Sequence, residues 1–216
     1  MAKVLTVLEA KRLDSRAIKR FGVPVALLME NAGRAVSMEA LRIIGSKKLK
    51  VAIICGKGNN GGDGFSAARH LMAKGVNPDL YLCAGFSEVK GEARVNLNIL
   101  LKLKKKIFII NDKSLMAFKK RLASYGLIVD SIFGVGLKGV VKGIIAEVIN
   151  IINQSNARVI SVDLPSGIGA DTGKVLGTAV KADTTVTFIA PKIGMLKGQG
   201  KKFSGKIIVQ DLGLPF

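Results

Sequence analysis

Tryptophan is absent from this 216-residue chain, and aromatic residues make up 5% of it. So few rings leave little with which to stack nucleobases. One histidine, His70, cannot supply a His-based catalytic triad or a soft transition-metal centre. The two cysteines, Cys55 and Cys83, each end an apolar run, so they read as neighbouring buried thiols rather than as a disulfide, a metal site or a nucleophile. No apolar run approaches the ~18 residues of a membrane span. The opening "MAKVLTVLEAKRL" sets Lys11 and Arg12 among its apolar positions, so a soluble, cytoplasmic protein with no membrane partner is expected. Acids are scarce too, 15 against 34 lysines and arginines, for a formal charge of +19. That charge favours polyanions, yet it is spread over "KRLDSRAIKR", "SKKLK", "KLKKK" and "KGQGKK" rather than gathered in one arm, as on solvated faces.

What is abundant points to an α/β protein. Hydrophobic residues reach 49%, and 25 glycines recur just after apolar runs. Thr6 and Glu9 form a T-x-x-E capping box ahead of a helical segment to about Phe21, and Pro24 suits the first turn of a second helix that Gly45 ends. Apolar runs follow at 50–55, 79–84, 107–110, 127–132, 158–162, 184–189 and 206–210. Segments of helical period separate the first five, near 64–74, 89–103, 114–124 and 142–154. Uninterruptedly apolar strands joined by helices indicate a sheet covered on both faces. The expected fold is a three-layer α/β/α sandwich, a Rossmann-like, mostly parallel sheet, as one domain over 1–216. The Gly-rich last third predicts ordered loops followed by edge strands.

In such a sheet ligands bind outside the carboxyl ends of the strands. Three loops fall on that edge: "GKGNNGGDG" after the first strand, "FGVGLKG" after the fourth, and "DLPSGIGADTG" after the fifth. The first contains a G-x-G-x-x-G string (Gly56, Gly58, Gly61), the mark of a dinucleotide fold. A dehydrogenase also wants an acid closing its second strand, however, and here Glu88 lies beyond a further loop. Nor is it a P-loop, since no G-K-[ST] follows at the right spacing. Glycines and a helix N-terminus still suit a phosphate-bearing ligand. Asp63 stands where a helix N-cap would.

Asp130 lies in a central apolar strand, so it must be paired, protonated or bound to a cation. One reading gives it a lysine partner. The other is a hard cation held by oxygens of Asn60, Asp130 and Ser166. Asp163, at the end of "RVISVD", is the candidate acid or base, and the plainer role for an Asp two residues before Pro165 is to begin a turn. Lys138 could pair with a phosphate or with that acid. Ser166 lacks a nucleophile elbow and has no histidine to activate it, which excludes a serine hydrolase.

Six segments in register resemble the YjeF N-terminal domain family of NAD(P)H-hydrate epimerases: "LLMENAG", "GKGNNGGDGF", "VDSIFGVGLKG", "VDLPSGIGADTG", "TVTFIAPKIG" and "VQDLGLP". The resemblance implies interconversion of the R and S epimers of hydrated NADH or NADPH, feeding an ADP- or ATP-dependent dehydratase. The nucleotide is then substrate, not redox cofactor. It further implies substrate binding by Asn59, Asn60, Gly61, Gly62 and Asp63, by Gly134, Val135, Gly136, Leu137, Lys138, Gly139 and Val140, and by Asp163. One potassium ion per subunit would lie at Asn60, Asp130 and Ser166, and a homodimer is expected. Asp163, aided by Lys138, would move a proton at the ring hydroxyl. The resemblance also allows a non-catalytic nucleotide- or RNA-binding scaffold, since relatives of the domain occur in messenger-RNA decapping scaffolds, and a protein-partner role, as in vertebrate relatives that bind apolipoprotein. A scaffold needs no NNGGD loop together with Asp163, so nucleic acid is not the expected partner.

Overall fold

The computed structural model describes residues 4–215. The chain opens with helix α1 (Val7–Phe21), whose Thr6 Oγ1 accepts from Glu9 N at 3.1 Å while Thr6 N donates to Glu9 Oε2 at 2.8 Å. Left-handed Gly22 ends it, at φ 66°. Helix α2 (Val25–Ile44) begins just after Pro24, which caps it rather than entering its first turn, and Gly45 closes it. There follow β1 (Val51–Cys55), α3 (Asn59–Ala73), β2 (Asp79–Leu82), α4 (Gly91–Lys102), β3 (Ile107–Ile109), α5 (Leu115–Leu122), β4 (Leu127–Ser131), α6 (Gly143–Asn153), β5 (Arg158–Val162), β6 (Thr184–Phe188), α7 (Gly198–Phe203) and β7 (Lys206–Gln210).

Among the described residues seven strands form one sheet in the order β3-β2-β1-β4-β5-β6-β7, and every pairing is parallel. Apolar residues fill both faces, as a parallel sheet under helices requires. Val51, Ile53, Cys55, Leu127 and Val129 pack in the core that α2, α3 and α4 cover. Ala52, Ile54, Ile128 and Val159 pack in the core that α5 and α6 cover. The α2–α3 contact is close because Gly33 has no side chain: a Cβ there would lie 2.3 Å from Ser66 Oγ.

The last third differs from expectation in two respects. β6 is interior, lying between β5 and β7, and a short helix, α7, precedes the edge strand β7. The segment "GQGKKF" has no apolar period to announce it. Strand order reverses between β1 and β4, so the loops after these two strands diverge and open a crevice at the carboxyl edge.

Candidate active site at the carboxyl edge of the sheet

A cavity of about 560 Å³ occupies that crevice. Its floor is built by the loops after β1 and β4 and by the ends of β5 and β6; its remaining wall comes from α1 and α2. The lining is largely apolar, and its polar members are Lys11, Asp14, Lys57, Asn59, Asn60, Asp63, Asp163 and Lys192. A mostly apolar cavity with a few convergent polar groups is the usual form of a small-molecule site.

The glycine loop is held tightly against the sheet. A Cβ on Gly61 would meet Gly56 O at 1.9 Å, and one on Gly56 would meet Ile132 O at 2.1 Å, so side chains are excluded by packing between β1, α3 and β4. α3 starts at Asn59, with Gly58 as cap residue. Asp63 is therefore in the second turn and is no N-cap, contrary to expectation. It is freed to face the cavity, half-buried. Burial raises its pKa well above the ordinary carboxylate value, the charges of Asp163 and Asp14 add to this, and Lys192 offsets part of it.

Asp163 directly follows β5 in a left-handed conformation, φ 66°, which Asp tolerates better than most residues. Its amide donates to Val186 O at 2.7 Å, so the strained turn is tied to β6. The group beside its carboxylate is Lys192: Nζ donates to Asp163 Oδ1, to Thr187 Oγ1 at 2.8 Å and to Phe188 O at 3.3 Å. Lys192 is 3% exposed. The expected helper, Lys138, is exposed and lies outside the cavity lining, as do Gly139 and Val140. Asn59 and Gly134 to Leu137 do line it, whereas Gly61 and Gly62 are buried behind it.

Asp130 is fully buried in β4. The β4–β5 register sets it beside Ser161, whose Oγ donates to Oδ2 at 2.8 Å. Ser166 adds its amide at 2.9 Å and its Oγ at 2.6 Å, and Ile132 N adds a fourth bond at 3.3 Å. Hydroxyls and amides thus take the place of the alternative lysine. Burial raises the pKa of Asp130, and these donors oppose the rise. Ser166 Oγ also accepts from Phe133 N at 2.8 Å, and Ser131 Oγ bonds Asn60 O. Asn60, Asp130 and Ser166 are therefore gathered where β4 meets the glycine loop. Asn60 Nδ2 is buried and has no hydrogen-bond partner among the described residues.

Two residues facing the cavity escaped sequence reasoning. Lys192 sits in the quoted segment "TVTFIAPKIG", but no local signal separates it from the chain's many other lysines. Asp14 reads as an ordinary polar position on α1. Elsewhere, His70 lies on α3 with Nε2 2.9 Å from Glu30 Oε1 of α2. Both cysteines are free, and burial raises the Cys83 pKa to about 12. Glu88, absent from the cavity lining, pairs with Lys57 at 2.8 Å.

The family described as YjeF-related protein N-terminus matches residues 25–194. The chain belongs to this family. Across 213 residues it is 39% identical to the bifunctional NAD(P)H-hydrate repair enzyme Nnr of Thermofilum pendens, covering 99% of this chain and 40% of that protein. Across 206 residues it is 39% identical to the NAD(P)H-hydrate epimerase of Oenococcus oeni, covering 95% of this chain and 94% of that protein. It thus spans about two fifths of the bifunctional relatives and nearly all of the epimerase relative. The crystal structure of yeast ynu0 superposes with a TM-score of 0.81 over 97% of this chain and 87% of that one, at 24% identity. That likeness supports the α/β fold of the YjeF-related domain. No described helix is long and apolar enough to cross a membrane.

Proposed function

We propose that this chain is an NAD(P)H-hydrate epimerase, interconverting the R and S forms of hydrated NADH or NADPH. The observation that carries the reading is the Asp163–Lys192 pair, set in an apolar cavity beside Asn60 and Asp63 on a domain whose near-full-length relatives bear that name. The first turn of α3 presents backbone N–H groups suited to the nucleotide's phosphates. Apolar residues such as Phe133 and Leu137 shield the nicotinamide ring from bulk water. Asp163, oriented by Lys192, moves a proton at the ring hydroxyl. The hydroxyl-bearing carbon then loses its configuration through an iminium or ring-opened species, and hydroxyl returns on the other face. Such proton transfer contributes ~10²- to 10⁴-fold.

A potassium ion fits the oxygens of Asn60, Asp130 and Ser166. The donors are carboxylate, hydroxyl and amide oxygen, as a hard cation prefers, with Ser166 Oγ already 2.6 Å from Asp130 Oδ1. Among the described residues no group of three His, Cys, Asp or Glu could hold a softer metal. When bound, the ion would supply positive charge at these oxygens, beside the glycine loop that carries Asn60. The reading places one such domain in the cytoplasm, handing its product to a dehydratase of the kind fused in the bifunctional relatives. Leu8, Phe21, Leu27 and Met38, exposed on α1 and α2, support a homodimer.

The test is chromatographic. Each purified hydrate epimer is incubated with the protein, and the approach to the equilibrium mixture is timed. A rate no faster than the spontaneous one would overturn the reading.

A further inference from the structure

Epimerisation sets a demand that one acid–base group meets only by half: the hydroxyl departs from one face of the ring and returns to the other. The cavity has polar groups on two walls. Asp163 and Lys192 stand at the strand ends, and α1 faces them with Ala10, Asp14 and Ile18, spaced i, i+4, i+8 on one helix face. An amphipathic helix puts apolar residues at such positions. Asp14 instead places a carboxyl there, and it makes no hydrogen bond or ion pair with any described residue. The helix is fixed in place: Val7 N donates to Asp171 Oδ1 at 2.7 Å, Leu5 N to Pro191 O at 2.8 Å, and Ile193 N to Leu5 O at 2.9 Å. Leu5 is thereby joined to the segment that carries Lys192.

Resting on the epimerase reading, we propose that Asp14 is a second catalytic acid–base residue, serving the ring face that α1 covers while Asp163 serves the face toward the strand ends. In one direction the Asp14 carboxyl gives its proton to the hydroxyl on its side. The C–O bond breaks, its electron pair leaves with oxygen as water, and the ring nitrogen lone pair forms the iminium. On the other face a water oxygen bonds to the same carbon and gives its proton to the Asp163 carboxylate. One water leaves, one enters, one proton is given and one taken, and solvent exchange resets both carboxyls. The reverse reaction exchanges the roles. The charged groups sharing the cavity with Asp14 are Lys11 on its own helix, Lys57 after β1, Asp63 on α3, Asp163 after β5 and Lys192 after β6. Asp14 is exposed at the rim of the cavity; the partial desolvation it meets there raises its pKa, Asp163 raises it further and Lys192 lowers it, so a proton-bearing form is accessible.

The test compares the unaltered protein with Asp14→Asn and Asp14→Glu, starting from each epimer in ¹⁸O-labelled water, with nucleotide affinity followed by titration of NAD⁺ and NADP⁺. Expected are one solvent oxygen gained per epimerisation, a roughly 10²- to 10⁴-fold fall in both directions for Asp14→Asn, and unchanged nucleotide affinity. The Asn variant should also lose one limb of the pH–rate profile. Asp14→Glu, which keeps a carboxyl on the same helix face, should restore part of the rate. Full activity in Asp14→Asn, or epimerisation without oxygen exchange, would overturn the proposal. If Asp14→Asn fails to fold, a Glu variant that folds without activity would overturn it as well. An unaltered protein that accelerates nothing would instead sink the epimerase reading.

Discussion

Lys192 and Asp163 form a buried ion pair that ties the loop after β6 to the end of β5, with Thr187 Oγ1 and Phe188 O taking further bonds from the same ammonium. Replacing Lys192 by Met leaves the largely buried Asp163 with no cation beside it. Breaking a buried pair from one side costs about 3–5 kcal/mol. Urea denaturation of Lys192→Met should show a loss near that size, with epimerase turnover down ~10²-fold or more. The double variant Lys192→Met/Asp163→Leu should regain much of the stability and none of the activity. Equal stability of all three proteins would remove the pair from the account.

Asp63 makes a pH prediction whose sign follows from its raised pKa. Folding favours its protonated form, so the contribution to stability is full below the unfolded value of about 3.9. It is lost as pH rises through the higher folded value, where the native state must carry the charge. Asp63→Asn removes that cost. Its melting temperature should exceed that of the unaltered protein at neutral and alkaline pH and converge with it in acid, while epimerase activity falls. A variant less stable at every pH would show that Asp63 is structural.

Much of the fold was legible because each strand is an unbroken apolar run, and β1, β4 and β5 fall within one or two residues of expectation. The same logic exposed Asp130 and Asp163, since a carboxylate in or just after such a run stands against its surroundings. The start of α3 was misjudged because Asp63 has the chemistry of a cap, whereas the backbone turns at Gly58, where no side chain caps. Lys192 and Asp14 were invisible for a different reason. Each is set apart by tertiary docking of α1 across the strand ends, which local pattern does not encode. Lys138 looked suitable because it stands in the "FGVGLKG" loop after β4, yet it is exposed and lies outside the cavity lining.

Gly134 separates packing from chemistry. A Cβ there would lie 3.1 Å from Asn60 Oδ1 and 3.3 Å from Asp163 Oδ2, tighter than ordinary contact but against side chains that can give. Gly134→Ala should therefore change stability by less than about 1 kcal/mol and yet displace both polar groups, lowering turnover 10-fold or more; small misplacements of this kind cost up to ~10²-fold. Gly61→Ala is the contrast, because its Cβ would strike Gly56 O at 1.9 Å, backbone that cannot yield. That variant should be strongly destabilised, by roughly 1–3 kcal/mol or more. Parallel melting curves and turnover numbers distinguish the two.

The proposed potassium site predicts a stability that depends on the cation present. A ligand that binds only the native state raises stability by about 2.7 kcal/mol at one hundred times its dissociation constant. Melting in potassium chloride should therefore exceed melting in choline chloride at equal ionic strength, which holds general screening constant. Asp130→Asn keeps the size of the side chain but removes the charge that Ser161 Oγ, Ser166 N and Ser166 Oγ now face. It should melt lower in both salts, since a buried network loses an acceptor, at about 1–3 kcal/mol. The deciding quantity is the difference between the two salts, which should vanish in the variant and persist in the unaltered protein. A salt difference of the same size in both proteins would place potassium elsewhere and leave Asp130 as a structural knot between β4, β5 and the Ser166 turn.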